Sequence, residues 1–266
     1  MRKEICYSDL PLLTQDVERN VEALIAHGAD IVELLLDGIQ WDDMQEKMRS
    51  IVGVLRKFDV GFSIHPPAWD TNLTSENRTI REATFEEYRK AIEFAHELEA
   101  EHVVIHPGFA FSPAFDKSIA RQRAQEYVHR LNEIAKPLGV KLAVENVGYH
   151  GASIFTQDEY CAFLEPFDDN AGYLVDTGHA RLNNWDIPDM IRRIGRRLNS
   201  LHLHDNSGRG DEHLPIEEGS IEWEPIYEAL KEVSPDCLLI LEYTPGCELE
   251  KLRVGKQLLI QKLGLS

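Results

Sequence analysis

Histidine and acidic residues are concentrated in one segment of this chain, residues 201–206 (LHLHDN), and in Asp211 and His213 shortly after it. Leucine and histidine alternate in this segment with the period of a β-strand, so His202 and His204 share one face. A strand buried on both faces is normally apolar, and imidazoles that run into acidic residues therefore favour a metal site over ordinary packing. A lone histidine would more often be a core residue, so the hypothesis depends on whether other segments repeat the pattern.

The same kind of unit recurs along the chain, because short apolar runs alternate with segments of helical period. The predicted strands cover residues 5–8, 30–36, 60–64, 102–105, 141–144, 171–175, 200–203 and 237–241. The predicted helices cover residues 17–27, 42–58, 82–98, 119–135, 160–164, 187–197, 225–233 and 248–263. Eight such units predict an α/β fold, a single-domain (β/α)8 TIM barrel over residues 1–266, with an open doubly wound sheet as the structural alternative.

Polar residues end six of the predicted strands. They are His65, His106, Glu145, Asp176, His202 and Glu242. Barrel enzymes build their active sites at this end of the strands, and ordinary packing gives no reason for an imidazole or a carboxylate to recur there. His179, Asp211 and His213 follow a few residues further on. An Asp-x-His segment in extended conformation would present both side chains to one cation.

These nine residues offer five imidazoles and four carboxylates, a set that suits Zn²⁺, Mn²⁺, Co²⁺ or Fe²⁺. The set exceeds what one ion can use. We therefore predict a divalent metal cofactor, Zn²⁺ or Mn²⁺, with one to three ions, and surplus side chains that orient ligands or hold substrate. The four cysteines form no CxxC pair, which favours reduced thiols over a disulfide framework or a thiolate zinc site.

The charge of the chain limits its partners. Acidic residues outnumber basic ones by 46 to 28, and the net charge of −18 should repel nucleic acid and anionic membranes. The apolar runs are all shorter than the roughly 18 residues that a membrane span requires. We therefore expect a cytoplasmic protein that acts on a small molecule, as a monomer or a homo-oligomer, without a nucleic-acid or membrane partner.

Taken in order, the motifs of the chain resemble those of one superfamily. The segments concerned are His106-Pro107-Gly108, Glu145-Asn146, Asp176-Thr177-Gly178-His179, His202-Leu203-His204-Asp205, Asp211-Glu212-His213 with Glu218-Gly219, and Leu241-Glu242. They resemble the xylose isomerase-like TIM barrel superfamily, which contains sugar-phosphate isomerases and epimerases and the endonuclease IV type of abasic-site nuclease (AP endonuclease family 2).

The resemblance implies roles for the nine candidate ligands. In the isomerases and epimerases, a single-metal site is matched here by Glu145, Asp176, His202 and Glu242. In the nucleases, a three-zinc site has further ligands, matched here by His65, His106, His179, Asp211 and His213.

The first functional hypothesis is a metal-dependent isomerase or epimerase of a small sugar or hydroxy-ketone, phosphorylated or not. A cation that holds two neighbouring substrate oxygens polarises the carbonyl and acidifies the adjacent C–H. One of Glu145 and Glu242 would remove the proton and the other would return it, through an enediolate. The predicted substrate contacts are His179, Arg209, Trp41, Trp69 and Phe109.

Two alternatives remain open. The first is phosphodiester hydrolysis at abasic sites by the complete ligand set. Against it, Glu212 stands where the nucleases usually carry an arginine, and the loop at residues 37–43 is acidic rather than basic. The second is a metal- or carbohydrate-binding barrel without catalysis, which would not need the pair of glutamates.

Overall fold

The computed structural model describes residues 4–233 and 235–265, and in this part of the chain it contains eight strands. They are β1 Ile5–Ser8, β2 Ile31–Leu35, β3 Gly61–His65, β4 Val103–Ile105, β5 Leu142–Glu145, β6 Ala171–Asp176, β7 Leu198–Leu203 and β8 Leu238–Leu241. All are parallel, they pair in sequence order, and β8 pairs with β1 to close the barrel. The predicted TIM barrel is confirmed. A domain over residues 1–266 stays a prediction, and residues 1–3, 234 and 266 lie outside the described part.

Each predicted strand corresponds to an observed one, with ends that differ by at most two residues. The strands are almost entirely buried, because one face fills the barrel and the other is covered by helices. The small differences matter at the carboxyl ends. His65, Glu145 and Asp176 are the last residues of β3, β5 and β6, so the strands themselves direct these side chains.

Nine α-helices occur in the described residues. They are α1 Val17–Ala26, α2 Met44–Leu55, α3 Arg78–Leu98, α4 Lys117–Ala135, α5 Gln157–Ala162, α6 Thr177–Leu182, α7 Ile187–Ile194, α8 Trp223–Val233 and α9 Leu249–Leu263. A capping box begins α5, since the Thr156 hydroxyl accepts from Glu159 N and the Glu159 carboxylate accepts from Thr156 N. The helix α1 ends one residue before the predicted end, with His27 as its C-cap residue, followed by Gly28 with φ 96°.

The segment after β6 differs from the prediction of one helix at residues 187–197. It forms two helices, because the Asp176 carboxylate caps α6 directly at the end of the strand and Asp186 caps α7. The helix α7 then ends before Gly195, which has φ 58°. The early start of α6 is important for the site, since it places His179 one turn above Asp176.

The helices pack their apolar faces against the outside of the barrel. Residues of this layer include Leu24, Leu55, Ile92, Leu131 and Leu230. None of the helices in the described ranges has both the length and the apolar character needed to cross a membrane.

Candidate metal centre

Four side chains from β5, β6, β7 and the end of β8 converge on one point. His202 Nδ1 lies 3.7 Å from Glu145 Oε2, 3.8 Å from Asp176 Oδ2 and 3.4 Å from Glu242 Oε2. All four residues are buried. We call Glu145, Asp176, His202 and Glu242 the strand-end cage.

The cage has the properties expected of a metal site. Ligand atoms at about 2.1 Å from one Zn²⁺ in a tetrahedron would lie roughly 3.4 Å apart, close to the observed spacings. Such buried polar atoms are nearly always paired, yet His202 Nδ1 has no hydrogen-bond partner within residues 4–233 and 235–265. Several overlapping triplets of side chains here, such as His65, Glu145 and His202, hold their potential ligand atoms within 4.8 Å of one another. The residues therefore fit a divalent cation.

The carboxylates and imidazoles of the cage balance one another's charge. Burial alone would raise the pKa of Glu145, yet the charges of His106 and His202 hold it well below its usual range. Burial alone would lower the pKa of His202, yet the charges of Glu242 and Glu33 raise it well above its usual range. Because protonated imidazole compensates the carboxylates, a cation that binds here has to displace protons.

Asp176 is held in place from three sides. Its Oδ1 accepts a 2.6 Å hydrogen bond from the His179 backbone N–H. The Asn146 side chain accepts from Asp176 N at 2.7 Å and donates to Asp176 O at 3.0 Å. Hydrogen bonds between Asn146 and the Asp176 backbone therefore join the Glu145-Asn146 motif to the Asp-Thr-Gly-His motif. They restrict the position of the Glu145 carboxylate relative to that of Asp176.

His204, directly after β7, contacts the cage from behind. Its Nε2 lies 2.9 Å from Asp176 Oδ2, and its ring stacks on that of His213 with centroids 3.8 Å apart. The ring can come this close because of Gly178, where a Cβ atom would lie 2.1 Å from His204 Cε1. His204 thus links the cage to the loop residues that follow.

Two predicted ligands approach Glu145 from β3 and β4. His106 Nε2 lies 3.0 Å from Glu145 Oε2, and His65 Nε2 lies 3.9 Å from the same oxygen. His65 Nδ1 is occupied by the Pro66 carbonyl at 2.8 Å, so Nε2 is the atom that faces the carboxylate. Glu145 therefore lies between the cage and a second pair of imidazoles.

The remaining predicted ligands form a second cluster, which adjoins the cage at Glu145. Asp211 Oδ2 lies 3.2 Å from both His179 Nε2 and His213 Nε2, and His179 Nδ1 lies 3.1 Å from Glu145 Oε1. We call His179, Asp211 and His213 the loop clamp. The expected extended conformation of Asp-x-His is wrong, because His213 has φ 47° and Glu212 N bonds to the Gly210 carbonyl, which turns the two side chains toward each other.

The long β7–α8 loop that carries Asp211 and His213 is anchored by Asp205. Its Oδ1 accepts from Ser220 N at 2.9 Å and Ile221 N at 3.0 Å, and its Oδ2 accepts from Trp223 Nε1 at 2.8 Å. The loop is therefore tied down at both ends although it lies outside the sheet.

A cavity of about 450 Å³ opens above these clusters. Its lining residues are Leu10, Leu35, His65, Ala68, Trp69, His106, Phe109, Phe111, Glu145, Val147, Gly148, Tyr149, His150, Ala152, His179, Asp211, His213 and Glu242. Of the strand-end cage, Glu145 and Glu242 face this cavity, whereas Asp176 and His202 lie below it. The two predicted proton-transfer residues are thus the cage members that a bound molecule could reach.

Aromatic rings form one wall of the cavity. Phe109 and Phe111 stack with centroids 5.4 Å apart, Tyr149 stacks on His179, and Trp69 is largely exposed at the rim. Trp69 and Phe109, two of the predicted substrate contacts, therefore line the same cavity as His179.

The structure does not bring the other two predicted contacts to the cavity. Trp41 is buried in the apolar layer, with its ring 6.0 Å from that of Phe94, because the 3-10 turn at Ile39–Trp41 directs it toward α2 and α3. Arg209 lies on the β7–α8 loop with an exposed side chain, and its Nε is 3.4 Å from Ser207 Oγ.

Sequence reasoning missed Glu33 and Tyr149. Glu33 is fully buried in β2, with Oε1 3.1 Å from His202 Nε2. Its signal was a single acidic residue inside the apolar run Ile-Val-Glu-Leu-Leu. Tyr149 lies in the loop after β5, where the sequence carries no comparable signal.

Comparison with known proteins identifies the class to which this chain belongs. The profile of the xylose isomerase-like TIM barrel family matches residues 21–259, and the chain is a member of that family. The chain is 29% identical to an uncharacterized protein of Methanocaldococcus jannaschii, over 88% of this chain and 82% of that protein. It is also 27% identical to the D-psicose 3-epimerase of Enterocloster bolteae, over 48% of this chain and 41% of the epimerase.

A solved structure supports the same assignment. The crystal structure of a D-tagatose 3-epimerase-like protein superimposes with a TM-score of 0.84 at 26% identity, over 98% of this chain and 97% of that one. Relatives with a named activity thus include sugar epimerases.

Proposed function

We propose that this protein is a divalent-metal-dependent isomerase or epimerase of a small, uncharged ketose. The observation that carries the proposal is the strand-end cage, in which His202 Nδ1 lies within 3.8 Å of three carboxylates and lacks a hydrogen-bond partner in the described residues. The family assignment and the sugar epimerases among the relatives support it.

All four cage residues would bind the metal, and two of them would also transfer protons. Glu145, Asp176, His202 and Glu242 would hold Zn²⁺ or Mn²⁺, which as a Lewis acid polarises a carbonyl. Glu145 and Glu242, which face the cavity, would remove and return the proton next to that carbonyl. Asp176 and His202, below the cavity, would serve only as ligands.

The loop clamp would contact substrate hydroxyls. Asp211 faces the cavity and its Oδ1 has no hydrogen-bond partner in the described residues, so it can accept from a hydroxyl, whereas both ring nitrogens of His179 are held by Asp211 and Glu145. The aromatic wall would cover the apolar C–H face of a sugar, which is a common mode of carbohydrate recognition by π-faces.

The cavity favours an uncharged sugar over a sugar phosphate. Its described lining residues include neither lysine nor arginine, and the acidic groups Glu145, Asp211 and Glu242 face inward. A phosphate dianion there would meet these carboxylates, and the imidazoles of His179 and His213, the nearest cationic groups, are already paired with Asp211 and Glu145.

A test of both points is solvent isotope exchange. Protein reconstituted with Zn²⁺ or Mn²⁺ would be incubated in D₂O with D-fructose, D-psicose and D-tagatose, and with the 6-phosphate ester of each. We expect deuterium to enter at a carbon next to the carbonyl of at least one free ketose, with the ester turned over at least tenfold more slowly. Exchange only with the esters would contradict the uncharged substrate, and no exchange by metal-loaded protein would contradict the proposed chemistry.

A second candidate, hydrolysis at abasic sites, is favoured by one observation. All nine predicted ligands gather around Glu145 and Asp211, including His65 and His106, which a single-metal site does not need. The absence of lysine and arginine from the described cavity lining argues against a DNA backbone. Cleavage of a duplex with one abasic site, abolished by Glu145→Gln, would establish this function instead.

A further inference from the structure

A carboxylate lies inside the barrel below the strand-end cage. Glu33, in the middle of β2, is fully buried, and its Oε1 is 3.1 Å from His202 Nε2. Neither of these two atoms has another hydrogen-bond partner in the described residues. A carboxylate in the core of a barrel is costly unless an opposite charge or several donors compensate it, so its place beside His202 calls for an explanation.

The two nitrogens of His202 face opposite sides. Nδ1 points to the carboxylates of the cage, whereas Nε2 points down into the barrel toward Glu33. An imidazole that binds a metal through one nitrogen has to carry its proton on the other. Glu33 is the acceptor on the side where that proton would be.

Glu33 is itself held from the next strand. Its Oε2 accepts a 3.1 Å hydrogen bond from Ser63 Oγ, and Ser63 also contacts His102 Nε2 at 3.2 Å. The same His102 nitrogen is 3.3 Å from Ser200 Oγ, two residues before His202 on β7. This polar network crosses the barrel interior from β3 to β7 and restricts the position of the carboxylate.

We propose that Glu33 is a positioning residue for the candidate metal centre, whose carboxylate keeps the His202 proton on Nε2 and so leaves Nδ1 free to bind a cation that lies between it and the three cage carboxylates. The inference rests on the metal-binding part of the proposed function and is independent of the sugar chemistry. Outer carboxylates of this kind orient the ligand ring and raise its basicity, and their loss typically weakens metal affinity about 10- to 100-fold.

The test compares Glu33→Gln with a matched control. Glu33→Gln keeps the size of the side chain and removes its charge. Asp9→Asn removes another buried carboxylate, one that accepts from Leu35 N at 2.9 Å. Zn²⁺ affinity would be measured by competition with a chelator, at a temperature where circular dichroism shows each protein to be folded. We expect the Kd to rise about 10- to 100-fold in Glu33→Gln and less than about threefold in Asp9→Asn.

A second measurement separates positioning from a purely structural role. The ¹⁵N shifts of the His202 ring, compared in the two metal-free proteins at the same pH, should show a fully protonated Nε2 in the wild type and a mixed protonation pattern in Glu33→Gln. If that variant does not fold, Glu33→Asp, which withdraws the carboxylate from His202, should show an intermediate loss of affinity.

Equal Kd values and ¹⁵N patterns in the wild type and the Glu33 variants would overturn the inference and leave the metal centre standing. A wild type that binds neither Zn²⁺ nor Mn²⁺ would overturn the metal centre and the inference together.

Discussion

The strand-end cage and the loop clamp contain the same residue types but are built in different ways. The cage side chains are 0–7% exposed and come from strand ends, whereas the clamp side chains are 12–18% exposed and come from α6 and the β7–α8 loop. In the cage, sheet register sets the spacing. In the clamp, Asp211 contacts both histidines, and Asp205 holds the β7–α8 loop that carries Asp211 and His213.

This difference in construction indicates which cluster is better suited to bind a metal and which to bind a substrate. A site that must keep ligand geometry constant belongs on rigid elements, and the cage meets this requirement. A site that adapts to a substrate can lie on a loop. We therefore expect the cage to determine metal binding and the clamp to determine substrate recognition, and the following predictions separate the two.

The largest effect is expected from exchanging one carboxylate in each cluster. Asp176→Asn removes a fully buried carboxylate of the cage and should weaken Zn²⁺ binding by more than the roughly 100-fold that outer residues cost. Asp211→Asn should weaken it by less than about tenfold and mainly raise KM. Chelator competition and steady-state kinetics on both variants measure the contrast. Equal losses of Zn²⁺ affinity in the two variants would show that the loop clamp contributes to metal binding as much as the cage does.

The loop clamp should also make the unfolding free energy of the metal-free protein depend on pH. Burial alone would lower the pKa of His213, but its hydrogen bond to Asp211 and the charge of Glu242 raise it to about 9. Since this exceeds the unfolded value near 6.5, the stabilisation is complete below about pH 6.5 and is lost as the pH rises through about 9, by at most about 3 kcal/mol.

Urea unfolding of metal-free wild type and His213→Gln, from pH 6 to 10, measures this contribution. The difference in unfolding free energy between the two proteins should shrink as the pH rises. A difference that stays constant over the range would contradict the pKa assignment.

Replacing Asp205, which anchors the β7–α8 loop, should have a smaller effect than replacing residues of the loop clamp. In the wild type, Asp205 Oδ2 accepts a hydrogen bond from Trp223 Nε1. In Asp205→Asn an amide NH₂ group would take the place of one carboxylate oxygen, and this donor would face another N–H donor. We expect a loss of about 2 kcal/mol in unfolding free energy, with Zn²⁺ affinity nearly unchanged. Thermal denaturation and chelator competition test the two parts separately, and a large loss of Zn²⁺ affinity would mean that the loop also supports the cage.

The smallest effect is expected at the aromatic wall. Trp69→Ala should raise KM for the free ketose roughly two- to tenfold, because it removes one stacking surface and leaves the cage untouched. Steady-state kinetics at saturating metal measures it, with Trp41→Phe as a matched tryptophan control, since Trp41 is buried away from the cavity. A fall in kcat without a change in KM would not fit a recognition surface.

The strand-end cage and the loop clamp also differ in how far their structures could be predicted from the sequence. The barrel follows from the sequence, because apolar runs locate each strand, and the polar residues that end six strands were expected at the mouth. The choice of the four cage residues among them came from the resemblance to the family. The clamp residues were predicted, but the turn at His213 was not, because a left-handed histidine leaves no local pattern. Trp41 could not be assigned from sequence, since a short 3-10 turn decides whether it faces the cavity or the core.

Glu33 shows a different limit. A lone acidic residue in an apolar strand signals a compensated charge, but the strand pattern does not reveal that its partner is His202, on a strand across the barrel. Only the closed barrel brings β2 and β7 to face each other across the interior.

The most direct test of the account is deuterium exchange by Glu145→Gln and Glu242→Gln, both saturated with metal, on the two epimers of the ketose that the wild type exchanges. If the two glutamates serve opposite faces of the substrate, each variant should stop interconversion and retain solvent exchange with only one epimer, and the two variants should retain opposite ones. Interconversion at wild-type rates in both variants would contradict the assignment of the strand-end cage as the catalytic centre.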